Sequence, residues 1–254
     1  MNATKWKLLE LRSLRNFGIK RSVLNEFISS NYRKESYKIY RELPLKVAES
    51  YGLKFSKDTD PMSLMEMFVY NEYDFPEFRP NHGELVVDVG ANVGDSALWW
   101  WRKFGANVIA FEPLNSAFKA LKENIELNKA GENITSYNVA IGDGEIITGG
   151  VEGLMFSSHG NVQIYTVPLD QFKLVNVKIL KIDVEGFEME VLKGSEKTIK
   201  SNRPKIIIET HSTELRKKCH TFLTNMGYRI KIEGRTLTSN SPGFDRITNL
   251  FYSA

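Results

Sequence analysis

Five acidic residues and one histidine carry the chemistry this chain could perform. The stretch "LVVDVGANVGDSALWWW", residues 85–101, reads as a strand, a tight turn and the start of a helix. Asp88 precedes a turn that holds Gly90, Ala91, Asn92, Gly94 and Asp95. A dinucleotide fingerprint would require glycine at 90, 92 and 95, and Asn92 and Asp95 break it twice. No Gly-Lys-Ser/Thr follows, so a P-loop fails as well. Gly90 and Gly94 allow positive φ or close approach of a ligand. Asn92 tolerates that backbone region better than most residues. Asp88 and Asp95 would repel a bare phosphate, so the loop suits a ligand that brings positive charge.

Glu112 closes the next strand, with Pro113 after it, and a carboxylate there fits a bidentate hydrogen bond to ribose hydroxyls. In "KIDVEGFEMEVL", Asp183 ends a strand and Glu185 sits in the turn before a helix. Glu188 and Glu190 are accounted for by the helix dipole, which acids near an N-terminus stabilise by roughly 0.3–1 kcal/mol each. That does not account for Asp183, which on a parallel sheet faces the ligand side, with Glu185 beside it. His211 lies two residues past Glu209 and shares its side if the strand continues. If its pKa stays near the unperturbed value of about 6.5, it can take a proton from a hydroxyl at neutral pH. Asp183 and Glu185 could share a divalent metal, but two carboxylates do not make a ligand set, and no metal ligand is assigned. Taken together, the acids at 88, 95 and 112 fit S-adenosylmethionine, a nucleoside with a positive ammonium and sulfonium and no phosphate. Backbone N–H groups of the turn would meet its carboxylate.

These residues need a scaffold that gathers strand ends. The pattern supplies one after residue 80. Strands are read at Leu85–Val89, Asn107–Phe111, Ile134–Val139, Val177–Ile182, Lys205–Glu209, Tyr228–Ile232 and Arg246–Tyr252, most of them short apolar runs as in strands covered on both faces. Helical patterns at 95–104, 115–128, 187–200 and 213–226 alternate with them, which predicts a mostly parallel sheet with helices on both faces. Residues 142–174 break the rhythm. They are β-like and rich in glycine, and read as a hairpin excursion at the rim of the site, with "SSHGN" a candidate lid. Residues 1–80 read as a helical extension or cap: Trp6, Leu9, Leu14 and Phe17 end at Gly18, Val23, Phe27 and Ile28 follow, and Asp60-Pro61 reads as a helix start. Residues 81–254 form the second domain.

The composition is that of a globular chain, 42% hydrophobic and 26% charged, with a net charge of +3. That balance is too small to argue for nucleic acid. Residues 1–50 hold eleven Lys/Arg against five Asp/Glu, a surface read as solvated or as a substrate-side cap. Cys219 is the single cysteine, so no internal disulfide framework exists, and its helical spacing reads as packing. The sequence shows no signal peptide and no apolar run of membrane-spanning length, so a cytoplasmic protein is expected. The oligomeric state is left open.

"VVDVGANVGDSALWWWRKFGANVIAFEPLNSAFKALKENIELN", "NVAIGDGE", "TVPLDQF…LKIDVEGFEMEVLKG" and "RPKIIIETH" together resemble the FkbM-type S-adenosylmethionine-dependent methyltransferases over residues 84–252. The resemblance implies a Rossmann-like class I methyltransferase fold, a seven-stranded sheet with the last strand antiparallel. It implies methyl transfer to a hydroxyl of a sugar, glycan or small molecule. By position, Asp88, Gly90, Ala91, Asn92, Gly94 and Asp95 would surround the methionine part of the donor and Glu112 would hold the ribose. Asn138, Val139 and Ala140 would lie near the adenine, and Tyr73 would cover the cofactor from the N-terminal side. From their places at neighbouring strand ends, Asp183 and His211 are expected to flank the transferring methyl, with His211 the base and Glu185 binding the acceptor. Two other readings stay open: an RNA (tRNA) methyltransferase, against which "DVEG" stands where Asn/Asp-Pro-Pro-Tyr would be expected, and a non-catalytic binding module that retains the fold.

Overall fold

The computed structural model describes residues 36–56, 59, 61–152, 155–241 and 244–254. The helical readings around Trp6–Gly18 and Val23–Ile28, and the cap read at Asp60, lie outside them. The chain divides into one unit ending at Tyr73 and another running from Asp74 to Ala254. In the first, α1 (Ser36–Ser50) contains Pro44, and α2 (Pro61–Leu64) passes into a π-helical turn, Met65–Val69. Leu43, Val47 and Ala48 from α1 are buried, as are Leu64, Met67 and Phe68, and Phe55 meets Phe68 edge-on.

The second unit begins earlier than the sequence boundary at 80. Pro76–Phe78 forms a 3-10 turn, and Phe75 and Phe78 both pack edge-on against Phe251, so aromatic contact ties this segment to the sheet. The strands that follow are β1 (Leu85–Val89), β2 (Asn107–Phe111), β3 (Ile134–Tyr137), β4 (Ala140–Ile141), β5 (Ile146–Glu152), β6 (Met155–Val167), β7 (Val177–Ile182), β8 (Lys205–Thr210), β9 (Arg229–Ser241) and β10 (Phe244–Ser253). Seven of them make one sheet in the order β3-β2-β1-β7-β8-β10-β9. The pairs β2–β3, β1–β2, β1–β7 and β7–β8 are parallel, whereas β10 runs antiparallel to both β8 and β9. The last four residues of β1 and of β7 are buried in succession, which requires cover on both faces of the sheet.

The helices are α3 (Asp95–Phe104), α4 (Asn115–Leu127), α5 (Glu188–Gly194), α6 (Glu196–Asn202) and α7 (Thr213–Asn225). Trp99 and Trp100 of α3 are both buried. Three local readings need correction. β3 stops at Tyr137, because the Asn138 amide turns aside to donate to the carbonyls of Glu112 and Pro113. β9 and β10 extend past their predicted ends into a long hairpin. The helix expected over 187–200 is two helices that meet at Ser195, where φ is −112° and ψ 6°. Asp170 caps the second from a distant loop: its carboxylate accepts from the backbone N–H groups of Lys197 and Thr198 and from the Thr198 hydroxyl. An acid 27 residues upstream leaves no trace in local periodicity.

Residues 142–174 do form a hairpin. β5 and β6 pair antiparallel, β4 joins β6 in parallel, and the three make a separate small sheet. Among the described residues, no helix is long and apolar enough to cross a membrane.

α5 comes down on the loop after β4. A Cβ built on Gly194 would lie 1.7 Å from the Gly142 carbonyl oxygen. Helix propensity alone would favour alanine at 194 by about 1 kcal/mol. Backbone cannot yield to a contact that short without moving the helix, and such overpacking costs about 1–3 kcal/mol or more. Gly194→Ala is therefore expected to destabilise the protein in urea unfolding by roughly 1–3 kcal/mol; a neutral or stabilising effect would contradict the close approach.

Candidate active site

The strand order reverses between β1 and β7, and ligands of open α/β sheets bind beyond the carboxyl ends at such a point. A cleft of about 640 Å³, part of it open to solvent, lies there. Its walls include Gly90, Asn92, Phe111, Glu112, Pro113, Val139, Ala140, Asp183, Glu185 and Phe187. Ile147 of β5 also lines it, so the hairpin excursion does reach the rim. The side chains of residues 157–159 in "SSHGN" lie outside the described residues.

The turn after β1 is fixed by backbone. Gly90 and Ala91 both donate to the Phe111 carbonyl at 3.0 Å. Gly90 has φ +80°, and a Cβ there would lie 1.7 Å from the Asp183 carbonyl oxygen, so only glycine lets the β1 and β7 ends meet. Asn92 has φ +43°, and Gly94, at φ +85°, stands at the N-terminus of α3. Asn92 donates its backbone N–H to Glu112 Oε2 and Leu114 donates to Oε1, both at 2.9 Å. Burial lifts the Glu112 carboxyl to about 7, against the pull of those two N–H groups. Asn92 Oδ1 is buried with no hydrogen-bond partner.

Behind the loop lies a residue the sequence reading passed over. Lys181 is buried in β7, and its ammonium donates to the Gly90 carbonyl at 2.8 Å. The same ammonium lies 3.1 Å from Asp88 Oδ1 and 3.5 Å from Asp183 Oδ2. Burial alone would lower its pKa, but Asp88, Asp183 and Asp95 outweigh that and hold it raised. Asp88 is fully enclosed and accepts from the Ser96 hydroxyl at 2.6 Å; burial raises its carboxyl. Burial also lifts Asp95, to about 7. Asp88 therefore holds the loop through Lys181 and Ser96, and it is not among the residues that line the cleft. Strand alternation carried the missed signal: in "VKILKI", Lys178 is exposed, and Lys181, three residues on, takes the opposite, covered face.

The other end of the cleft is a cluster. Asp183 follows β7 and His211 follows β8, and these strands pair directly. His211 Nε2 lies 3.2 Å from Glu185 Oε2 and 3.9 Å from Asp183 Oδ1, and Nδ1 lies 2.9 Å from Glu188 Oε1. Glu185 holds φ +53°, a strained value for a non-glycine residue that turns it back toward the imidazole. Burial lifts Glu185 to about 7, partly countered by His211. Burial would lower His211, but Glu188, Glu185 and Glu209 outweigh it and hold the ring well above its usual pKa. The condition set for His211 as base, an unperturbed pKa, is thus not met: the acids around it keep it protonated at neutral pH. Glu188 also needs correction. It is not merely a helix-dipole acid, since it is fully buried and bonds both His211 and the Gly186 N–H. Nothing in the sequence links it to a histidine 23 residues on.

The remaining expected residues separate. Val139 and Ala140 line the cleft, whereas Asn138 spends its amide on the β2 end. Tyr73 is buried and is the last residue of the first unit. Cys219 is buried in the core, and burial raises its thiol, in line with packing and not reactivity.

A sequence model of the methyltransferase FkbM domain matches residues 88–230, more than half of the chain, a span that holds Asp88, the cleft residues and His211. The chain belongs to the FkbM methyltransferase family. It is 30% identical over 140 residues to the hexuronic acid methyltransferase AglP of Haloferax volcanii, covering 51% of this chain and 56% of that protein. It is 28% identical over 162 residues to methyltransferase 1 of Beauveria bassiana, covering 51% of this chain and 64% of that one. The chain thus spans between half and two thirds of the length of these relatives. Among solved structures, the methyltransferase FkbM from Methylobacillus flagellatus aligns over 96% of this chain and 58% of its own, with a TM-score of 0.51 at 17% identity, a likeness of fold.

In this FkbM-family domain, Lys181 and Asp88 are a buried pair in which removal of one partner strands the other. Lys181→Met is expected to cost about 3–5 kcal/mol in chemical denaturation. The double variant Asp88→Asn with Lys181→Met should be more stable than Lys181→Met alone. Additive losses would mean that the two groups are not coupled.

Proposed function

We propose that this chain is an S-adenosylmethionine-dependent O-methyltransferase that acts on a sugar or glycan hydroxyl. The observation that carries this reading is the pairing, in one cleft, of Glu112 and the unpartnered Asn92 Oδ1 with the carboxylates of Asp183 and Glu185, which the buried His211 contacts. When bound, S-adenosylmethionine supplies a methyl group activated by a positive sulfonium. Asn92 Oδ1 offers its ammonium an acceptor that is otherwise unmet. Each oxygen of Glu112 already takes one backbone N–H and keeps a second acceptor site, so the carboxylate can still receive the ribose hydroxyls. Val139 and Ala140 give the base an apolar wall. That the Haloferax volcanii relative is a hexuronic acid methyltransferase supports a sugar acceptor.

The acceptor oxygen would then lie against Asp183 and Glu185. His211 keeps its proton and orients Glu185, and the hydroxyl proton passes to Glu185, whose carboxyl near 7 suits that task at neutral pH. Holding oxygen, methyl and sulfur in line can supply roughly 7–11 kcal/mol of the acceleration. General-base help of this kind adds on the order of a hundred- to ten-thousandfold.

Calorimetry with the product S-adenosylhomocysteine tests the donor half. Glu112→Ala should weaken binding about ten- to a hundredfold, the loss of a charge-assisted hydrogen bond of about 1.5–3 kcal/mol. Glu112 must be ionised to accept both hydroxyls and its carboxyl sits near 7, so wild-type affinity should rise as pH goes from 6 to 8, by about tenfold. That slope should flatten in Glu112→Gln. Unchanged affinity in Glu112→Ala, or an identical slope in Glu112→Gln, would remove Glu112 from the ribose.

A further inference from the structure

We infer that Asp183, Glu185 and His211 form a binding site for one divalent transition-metal ion, of the class of Mn²⁺, at the acceptor end of the cleft. This deepens the proposed function by naming what would hold the acceptor oxygen, and it rests on that reading only for the acceptor's position. The sequence offered two carboxylates. The fold adds the third donor, because β7 and β8 are neighbours and their ends bring His211 to Asp183 and Glu185. Asp183, Glu185 and His211 each present a ligand atom within 4.8 Å of the others. The separations from Nε2 are 3.2 Å to Glu185 and 3.9 Å to Asp183. Donors bound to a common ion at about 2.0–2.2 Å sit roughly 3–4 Å apart, so little movement is needed.

Glu188 is the independent observation. It is fully buried, its Oε1 meets His211 Nδ1 at 2.9 Å, and its Oε2 has no hydrogen-bond partner. A metal-ligating histidine almost always gives its other ring N–H to a carboxylate or carbonyl, which fixes the tautomer and raises the donor strength of the ligating nitrogen. Glu188 stands where that partner belongs, and it leaves Nε2 facing the two carboxylates. Both groups are buried, and burying an acid only to fasten a buried histidine returns little stability, since a buried ion pair barely balances its desolvation. One nitrogen and two carboxylate oxygens, each from a single atom, leave coordination positions for water or for substrate oxygens. The two carboxylates and open positions suit a hard transition ion such as Mn²⁺, which also accepts one imidazole, better than Ca²⁺, which takes six to eight oxygens. Vicinal hydroxyls, or a hydroxyl beside a carboxylate, would fill two of those positions, so a chelating sugar is the acceptor class this site selects. Binding the ion would displace the Nε2 proton that His211 holds in the metal-free cleft, and Glu185 would bind through Oε2 and keep its second oxygen for the acceptor's proton.

The test is a Mn²⁺ titration of the full chain, purified with chelator and then freed of it, read by loss of the free-ion electron paramagnetic resonance signal. One ion per chain is expected. His211→Gln and Asp183→Asn should abolish binding, and Glu188→Gln should weaken it ten- to a hundredfold. Circular dichroism of each variant shows that it is folded. If His211→Gln does not fold, Glu188→Gln and Asp183→Asn decide. No loss of the free-ion signal in the wild type, or binding that survives all three substitutions, overturns the inference. S-adenosylhomocysteine calorimetry on the same sample separates the two claims. Donor binding without Mn²⁺ binding overturns the metal site and leaves the proposed function standing; Mn²⁺ binding without donor binding does the reverse.

Discussion

A single buried ammonium governs this site. Lys181 sits inside the sheet, where a lone charge would be expelled, and it stays there because Asp88, Asp183 and the Gly90 carbonyl surround it. Those three groups belong to the ends of β1 and β7, the two strands between which the order of the sheet reverses. The ammonium therefore fastens the loop after β1 to the strand that carries Asp183. Removing Lys181 leaves its acids uncompensated in low dielectric, which is far more costly than the pairing itself is stabilising. The glycine at 90 follows from the same constraint, since the strand ends are drawn too close for a side chain.

The electrostatics of the cleft follow from that core. Asp88, Asp95, Glu112, Asp183, Glu185 and Glu188 gather around the cations Lys181 and His211. Burial pushes Asp95, Glu112 and Glu185 to about 7, so the protein binds protons there that a cationic ligand would displace. An excess of acids over cations explains why the loop after β1, although it opens a helix, is no phosphate cradle. It also explains why the histidine that looked like a base is instead a held cation or, with a metal, a ligand.

Much of this was legible in the residues. The loop glycines, Asp88, Glu112, Asp183 and the seven strands could be read because each depends on local period or on a motif within a few residues. The strand-end rule for parallel sheets also brings Asp183 and His211 to one place. Lys181 was missed because a lysine in a strand is normally an exposed edge charge, and its shortest contacts, to Asp88 and the Gly90 carbonyl, lie at the end of another strand. Glu188 was misread because helix-dipole stabilisation is a sufficient local cause, whereas its actual partner is fixed by tertiary packing. Asp170, which caps α6 from a distant loop, escaped for the same reason. Sequence periodicity reports neighbours along the chain, and each failure concerns a neighbour across it.

The central claim is that a methyl group passes from sulfur to a sugar hydroxyl over Glu185. The most direct measurement is single-turnover transfer from S-adenosylmethionine carrying a labelled methyl group, with Mn²⁺ present, to hexoses and hexuronic acids. The product's stability to mild base distinguishes a methyl ether from a methyl ester. The account predicts a base-stable ether on a hydroxyl, formed on the order of a hundred- to ten-thousandfold more slowly by Glu185→Gln. A base-labile ester, label on RNA in preference to sugar, or a wild-type rate in Glu185→Gln would contradict it.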